Sequence, residues 1–204
     1  MVYADWDLRK VRQIFELHID EQSNLFADVE LKDASPTLVQ TLGETVNLAI
    51  AINTEKARSE MIIAPILLEI RRQAQYEISL FSGTEFNIDP VRGLSGYCDY
   101  IISLSKEQLM VNTPVVMIVE AKNENTKGGL GQCVAEMVAA QIFNQQEGKV
   151  IETIYGAVTT GEIWKFLKLM GSIVSIDLSD YYIGGDIGKI LGILHQGIKP
   201  AVLT

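Results

Sequence analysis

The fold of this chain is decided at positions 114–122, which read PVVMIVEAK. The first six residues are continuously apolar and rich in β-branched side chains, which indicates a central strand covered on both faces. The strand runs directly into Glu120, Ala121 and Lys122. Because side chains alternate along a strand, Glu120 and Lys122 project to one face and Ala121 to the other. A carboxylate and an ammonium group therefore lie together at the end of a buried strand.

The preceding strand carries a single acid. It is predicted at 97–104, where positions 96–102 read GYCDYII, and Asp99 is its only charge. If the two strands are neighbours, Asp99 and Glu120 meet. Two carboxylates can hold a hard cation such as Mg²⁺, which acidifies a water, and Lys122 can orient or help to deprotonate that water. The alternative is structural: Glu120 and Lys122 form a surface pair, and Asp99 caps a turn.

The remaining elements are read from periodicity and from capping signals. Ser35 followed by Pro36 predicts a helix start. The elements expected from the whole chain are helices at 8–17, 36–51, 55–75 with a kink or restart at Pro65, 130–145 and 186–194, and strands at 78–86, 97–104, 114–121, 153–159, 162–168 and 173–178. This order predicts an α/β fold with a mixed sheet flanked by helices. Residues 1–54 are expected to form an N-terminal helical extension packed on a single domain at 55–204.

The composition limits the classes of protein to which this chain can belong. The chain has 204 residues, of which 48% are hydrophobic, and one domain of this length can bury a substantial core. The formal net charge is −9, which counts against a dedicated DNA-binding module. The start of the chain lacks a signal-peptide pattern, and no apolar run approaches the roughly 20 residues that a membrane span needs. We expect a cytoplasmic protein without membrane contact.

Isolated reactive side chains are read as structural. Cys98 and Cys133 lie in apolar segments without the CxxC spacing of a zinc site, so both are expected to be buried thiols. His18 and His195 lie far apart in the sequence and have no metal-ligand spacing. Lys127, beside a glycine-rich turn, is a candidate for a phosphate contact. Trp164 and Phe166 are expected to pack inside the protein.

The pattern of an Asp in a strand, followed by Glu-x-Lys at the end of the next strand, resembles the PD-(D/E)xK nuclease superfamily. The resemblance covers residues 55–160 approximately, and positions 93–100 and 119–122 are similar to the N-terminal nuclease domain of type I restriction enzyme motor subunits. One departure is that Ser95, Gly96 and Cys98 replace the proline that names the motif. The resemblance implies a restriction-endonuclease-like fold.

The resemblance also implies roles for individual residues. Asp99, Glu120 and the carbonyl of Ala121 would ligate Mg²⁺ or Mn²⁺, and Lys122 would position the nucleophilic water. The first core helix of the superfamily supplies a further glutamate, for which Glu69 is the candidate and Glu60 its competitor. From the next helix, Gln132 would orient the water or contact the nucleic-acid backbone. Glu136, four residues after Gln132, is a weaker candidate on the same stripe.

The expected function is therefore metal-dependent hydrolysis of phosphodiester bonds in DNA by an endonuclease. Many nucleases of this fold act as homodimers because a duplex offers two strands to cut. The acidic composition indicates that DNA is bound weakly or with the help of a partner. The rival interpretation is a non-catalytic interaction module that retains the nuclease fold. The convergence of Asp99, Glu120 and Lys122 in one concave site would distinguish the two.

Overall fold

A computed structural model describes residues 1–199. Its centre is a mixed sheet of eight strands: β1 (His18–Gln22), β2 (Ser79–Glu85), β3 (Tyr97–Ser103), β4 (Val115–Ala121), β5 (Ile154–Thr159), β6 (Ile163–Met170), β7 (Ile173–Asp177) and β8 (Tyr181–Tyr182). The strand order is β1-β7-β6-β5-β4-β3-β2, and β8 pairs with β6. The β4–β5 and β1–β7 pairs are parallel and the others are antiparallel.

Helices cover both faces of the sheet. They are α1 (Leu8–Ile14), α2 (Pro36–Ile52), α3 (Glu55–Arg58), α4 (Ala64–Gln73), α5 (Thr126–Gln146) and α6 (Ile183–Ile198). One core layer lies between the sheet and α5, and the other lies between the sheet and α2, α4 and α6. The predicted α/β class with a mixed sheet flanked by helices is confirmed. Within the described residues, no helix is long and apolar enough to cross a membrane.

The central position predicted for positions 114–121 is confirmed by β4, in which all seven residues are buried. Val115 and Ile118 face the α5 layer, whereas Val116 and Val119 face the opposite layer. Asn144 of α5 binds the backbone at the start of this strand. Its side chain accepts a hydrogen bond from the Val115 N–H at 2.8 Å and donates one to the Val115 carbonyl at 2.7 Å. The strand is therefore held at both faces and at its first residue.

The long helix predicted at 55–75 is interrupted. The Thr54 side chain accepts from the Ala57 N–H and starts α3, a π-helical turn follows at Ser59–Ile63, and α4 restarts with a proline in its first turn. Proline has no N–H to donate to the preceding turn, so the first turn is where a helix tolerates it. The prediction was a kink or a restart at Pro65; the structure has a π-helical turn directly before it, and the backbone at Ser59, Ile63 and Ala64 stays right-handed helical. The π-helical turn changes the rotation of every later residue relative to an ideal helix.

The prediction that residues 1–54 form a helical extension was wrong in part. The α2 helix begins as expected, since the Ser35 side chain accepts from the Leu38 N–H. The polar segment before it, however, contains β1, which pairs in parallel with β7 at the edge of the sheet. The first residues also enter the core, where the Tyr3 hydroxyl donates to the Phe86 carbonyl at 2.6 Å. The segment is therefore part of the main sheet and core.

Candidate active site

Two strands bring the predicted acids together. In the antiparallel β3–β4 pair Tyr100 lies opposite Val119, so Asp99 and Glu120 follow directly after the last paired residues, and the charge of Asp99 acts on Glu120. Opposite residues of an antiparallel pair share a face of the sheet. The Ala121 N–H donates a hydrogen bond to Asp99 Oδ2 at 2.7 Å, which fixes the aspartate at the end of β4. The structure thus brings together the two carboxylates that the sequence placed 21 positions apart.

Lys122 joins this pair from the end of β4. Its backbone N–H donates to the Thr159 carbonyl at 2.8 Å, which continues the contact between β4 and β5. Its ammonium group forms an ion pair with Glu120 Oε1 and donates to Gln132 Oε1 at 3.2 Å. The predicted shared orientation of Glu120 and Lys122 is confirmed by this contact. Gln132, from α5, lies against the same group.

The α5 helix extends the cluster by one further acid. The Asn125 side chain caps the helix by accepting from the backbone N–H groups of its first turn. Gln132 lies in the second turn, and its Nε2 donates to Glu136 Oε1 at 3.1 Å. A continuous chain of polar contacts therefore runs from Glu120 through Lys122 and Gln132 to Glu136.

Burial sets the electrostatics of these groups. Glu120 is only 1% exposed, and burial followed by the charge of Asp99 raises its pKa to about 8, against the opposing effect of Lys122. Burial lowers the pKa of Lys122, but the carboxylate of Glu120 outweighs this, so that the net pKa is raised. Burial and then the charge of Glu120 also raise the pKa of Glu136. The cluster therefore holds more acidic groups than one ammonium can neutralise, and burial favours the protonated forms of Glu120 and Glu136.

A cavity of about 320 Å³ opens beside Asp99 and Ala121. Two glutamates from the helical side line it, Glu55 of α3 and Glu60 of the π-helical turn. Glu60, the competitor for the helix carboxylate, therefore shares this cavity with Asp99. Glu55 was not among the residues predicted for the site, although Thr54 marked the helix start that places Glu55 in an N-terminal turn.

The structure does not bring Glu69 to this site, which corrects the sequence-based assignment. Its carboxylate accepts from the Ser35 N–H at 3.1 Å and Oγ at 2.9 Å, and it also binds Arg72 at 2.7 Å and Gln73 at 2.7 Å. Burial alone would raise the pKa of Glu69, but these hydrogen bonds outweigh it and lower the pKa. Glu69 joins α4 to the start of α2. A place on the first core helix did not reveal these contacts, because Ser35 lies 34 positions away in the sequence.

The donor chemistry of the site fits a hard divalent cation. Glu120 Oε2 is buried and has no hydrogen-bond partner among the described residues, so one lone-pair-bearing oxygen is free at the site. Asp99, Glu120 and the Ala121 carbonyl offer only oxygen, the ligand type that Mg²⁺ takes. Among residues 1–199, no three His, Cys, Asp or Glu side chains form a group that could hold a metal ion. Asp99 and Glu120 supply two such side chains, and the third oxygen would come from the Ala121 backbone.

The cysteine and aromatic side chains and His195, for which the sequence predicted no catalytic role, are buried or hydrogen-bonded away from the site. Cys98 and Cys133 are buried free thiols, as expected. His195 Nε2 makes a 2.9 Å hydrogen bond with Gln73 Oε1, on the α4 side of the sheet. Trp164 and Phe166 are buried, and their rings stack with centroids 5.9 Å apart. Their predicted packing role is confirmed.

Comparison with known proteins assigns no family or function to this chain. No family model, no curated protein and no solved structure matches this chain. The geometry and chemistry of the site are therefore the basis for a functional assignment.

Proposed function

We propose that this chain is a metal-dependent endonuclease of the PD-(D/E)xK type, which hydrolyses phosphodiester bonds in DNA with Mg²⁺ or Mn²⁺. One observation carries the proposal. Asp99 is bound to the Ala121 N–H at the end of β4, beside Glu120 and the Lys122 ammonium, and Glu120 retains a buried oxygen without a hydrogen-bond partner among the described residues. A buried carboxylate oxygen in this state costs stability, which a bound cation would offset.

Each residue has a separate task in the proposed reaction. Asp99, Glu120 and the carbonyl of Ala121 would hold the cation, which supplies Lewis-acid activation of a water and neutralises charge on the phosphate. Lys122 Nζ donates hydrogen bonds and so orients the attacking water. Gln132 Oε1 accepts from the same ammonium and limits where it can move. The buried position of Glu120 excludes bulk water from this side of the site.

The charge around the site predicts how DNA is bound. Glu55 and Glu60 line the cavity beside Asp99 and oppose the approach of a phosphate backbone. Lys56 also lines the cavity, but its ammonium lies 3.8 Å from Glu60. The buried Arg58 is paired with Glu162 at 2.7 Å. With a net charge of −9, the chain has no excess of cations to release counterions from DNA. We therefore propose that DNA binds weakly to one copy and that a homodimer or a partner supplies the missing affinity.

A cleavage assay tests the proposal. Linear, nicked, branched and single-stranded DNA are incubated with the protein and with Mg²⁺, Mn²⁺ or EDTA. Lys122→Ala should lower the cleavage rate by about 100-fold or more, as expected when the group that orients the attacking water is lost. It should keep the thermal stabilisation by Mn²⁺, because an ammonium is not a ligand, whereas Glu120→Ala should lose both. Lys149→Ala, at an exposed lysine after α5, is the matched control.

Two results would overturn the assignment. Metal-dependent cleavage that survives Lys122→Ala would show that another site or a contaminant cuts the DNA. Absence of cleavage on all four substrates, together with no Mn²⁺-induced shift in melting temperature, would favour the non-catalytic interaction module.

A further inference from the structure

Glu136 is a buried acid whose position calls for an explanation. It lies on α5 with 0% of its surface exposed. One of its oxygens, Oε1, accepts from Gln132 Nε2 at 3.1 Å. The other, Oε2, is buried without a hydrogen-bond partner in the part of the chain that the structure describes. Burying a polar atom in this way costs stability. The surrounding core therefore gains little from an acid at this position, in contrast to Glu69, whose carboxylate is fully hydrogen-bonded.

The hydrogen bond to Glu136 fixes the orientation of an amide. The ammonium of Lys122 has only donors, so the atom of Gln132 that faces it must be the acceptor Oε1. The amide then points Nε2 to the other side, where a donor needs an acceptor. Glu136 Oε1 is that acceptor. If position 136 were apolar, the Nε2 end of the amide would have no acceptor to hold it in the observed orientation. In the flipped orientation, the Gln132 NH₂ group would face the Lys122 ammonium, and two donors would meet.

We propose that Glu136 is a positioning residue: it orients the Gln132 amide and thereby holds the Lys122 ammonium beside Glu120. The orientation of the amide follows from the hydrogen-bond geometry alone. Its catalytic consequence rests on the proposed nuclease function, in which Lys122 orients the attacking water. Because a carboxyl group accepts through Oε1 whether or not Oε2 carries a proton, the arrangement holds in both protonation states of Glu136.

Nuclear magnetic resonance of the Gln132 side chain tests the orientation without any reaction. In glutamine-¹⁵N-labelled protein, the Gln132 amide signal is assigned by its loss in Gln132→Met. Glu136→Leu should accelerate hydrogen exchange of this amide by about fivefold, the effect expected for loss of one ordinary hydrogen bond. Glu136→Gln should keep exchange close to wild type, since its side-chain carbonyl accepts the same bond. Unchanged exchange in Glu136→Leu, or equal acceleration in Glu136→Gln, would overturn the inference.

Melting and cleavage measurements separate positioning from a structural role. Glu136→Leu should melt at or above the wild-type temperature, because the uncompensated buried acid is gone. It should still lower the cleavage rate constant about tenfold or more, as is common when a supporting residue of an active site is lost, with KM for DNA within about twofold. Glu136→Gln should restore the rate. Should the leucine variant fail to fold, Glu136→Met removes the same acceptor on a more adaptable side chain.

The outcomes distinguish this inference from the proposed function. Accelerated amide exchange in Glu136→Leu with no cleavage by any protein would refute the nuclease function and leave the positioning role standing. Wild-type cleavage in Glu136→Leu would refute the catalytic part of the inference while the nuclease function stands.

Discussion

Replacing Glu120 by glutamine removes the charge that burial opposes and keeps the shape of the side chain. In wild type without divalent cation, the pKa of Glu120 is raised from 4.5 to about 8, mainly because the group is buried. Folding therefore binds a proton when the pH lies between these two values. The stability that the protonated group provides is fully present below about pH 4.5 and is lost as the pH rises through about 8. Glu120→Gln should not show this pH-dependent loss of stability, because the glutamine side chain does not ionise.

The magnitude follows from the two pKa values. At 1.36 kcal/mol for each pKa unit, titration of Glu120 should reduce the free energy of unfolding of wild type by about 3 kcal/mol between pH 5.5 and pH 8. Lys122 stays charged across this window, because its pKa is raised from 10.5, and its attraction to the ionised Glu120 is already contained in the pKa of about 8. The difference between variant and wild type should therefore grow by the same amount across this window. For a domain of this size it corresponds to a change in melting temperature of roughly 6–12 °C.

Urea unfolding in EDTA, followed by the fluorescence of the buried Trp6 and Trp164, measures the effect at several pH values. Glu147→Gln, the same change at an exposed residue, should follow the wild-type profile. At pH 8, a hundredfold excess of Mn²⁺ over its dissociation constant should stabilise wild type by about 2.7 kcal/mol and the Glu120 variant much less. Parallel pH profiles for wild type and Glu120→Gln would refute the reasoning, because they would show that Glu120 ionises as freely in the folded protein as in the unfolded chain.

Three further changes test how the site is supported. Asn144→Ala should lower the free energy of unfolding by about 2–4 kcal/mol in urea titrations, because it leaves the buried N–H and carbonyl of Val115 without their partner. Glu69→Ala should destabilise the protein by about 1–3 kcal/mol, because the N–H and hydroxyl of Ser35 lose their acceptor, but it should not change the metal dependence of cleavage; a shifted Mn²⁺ requirement would return Glu69 to the site. Gly131→Ala places a Cβ 2.3 Å from the backbone before α1, so limited proteolysis should release the N-terminal segment faster, at a cost in stability of about 1–3 kcal/mol.

Local patterns were enough to predict the elements that form the centre of the fold. The apolar run that ends at Glu120 identified β4 as a strand buried on both faces, and Ser35 identified the start of α2. The spacing of Asp99, Glu120 and Lys122 predicted one cluster, which the antiparallel β3–β4 pair forms. These predictions succeeded because each depends on periodicity within one element or on the pairing of adjacent strands.

Tertiary structure decided the rest. Nothing in the polar sequence of β1 marks it as a strand, because its pairing partner, β7, lies about 150 residues away and supplies the register that the local pattern lacks. The choice between Glu60 and Glu69 depended on contacts between distant segments, because Glu60 lines the cavity beside Asp99 whereas Glu69 is held by Ser35 at the start of α2. The spacing of Gln132 and Glu136 predicted that they share one stripe of a helix, but only the fold showed that the Gln132 amide bridges Glu136 and the Lys122 ammonium, which comes from the end of β4. The sequence by itself determined which side chains carry the chemistry, whereas packing between distant segments determined which of them face one another, since helix rotation and non-local strand pairing are fixed only when the core closes.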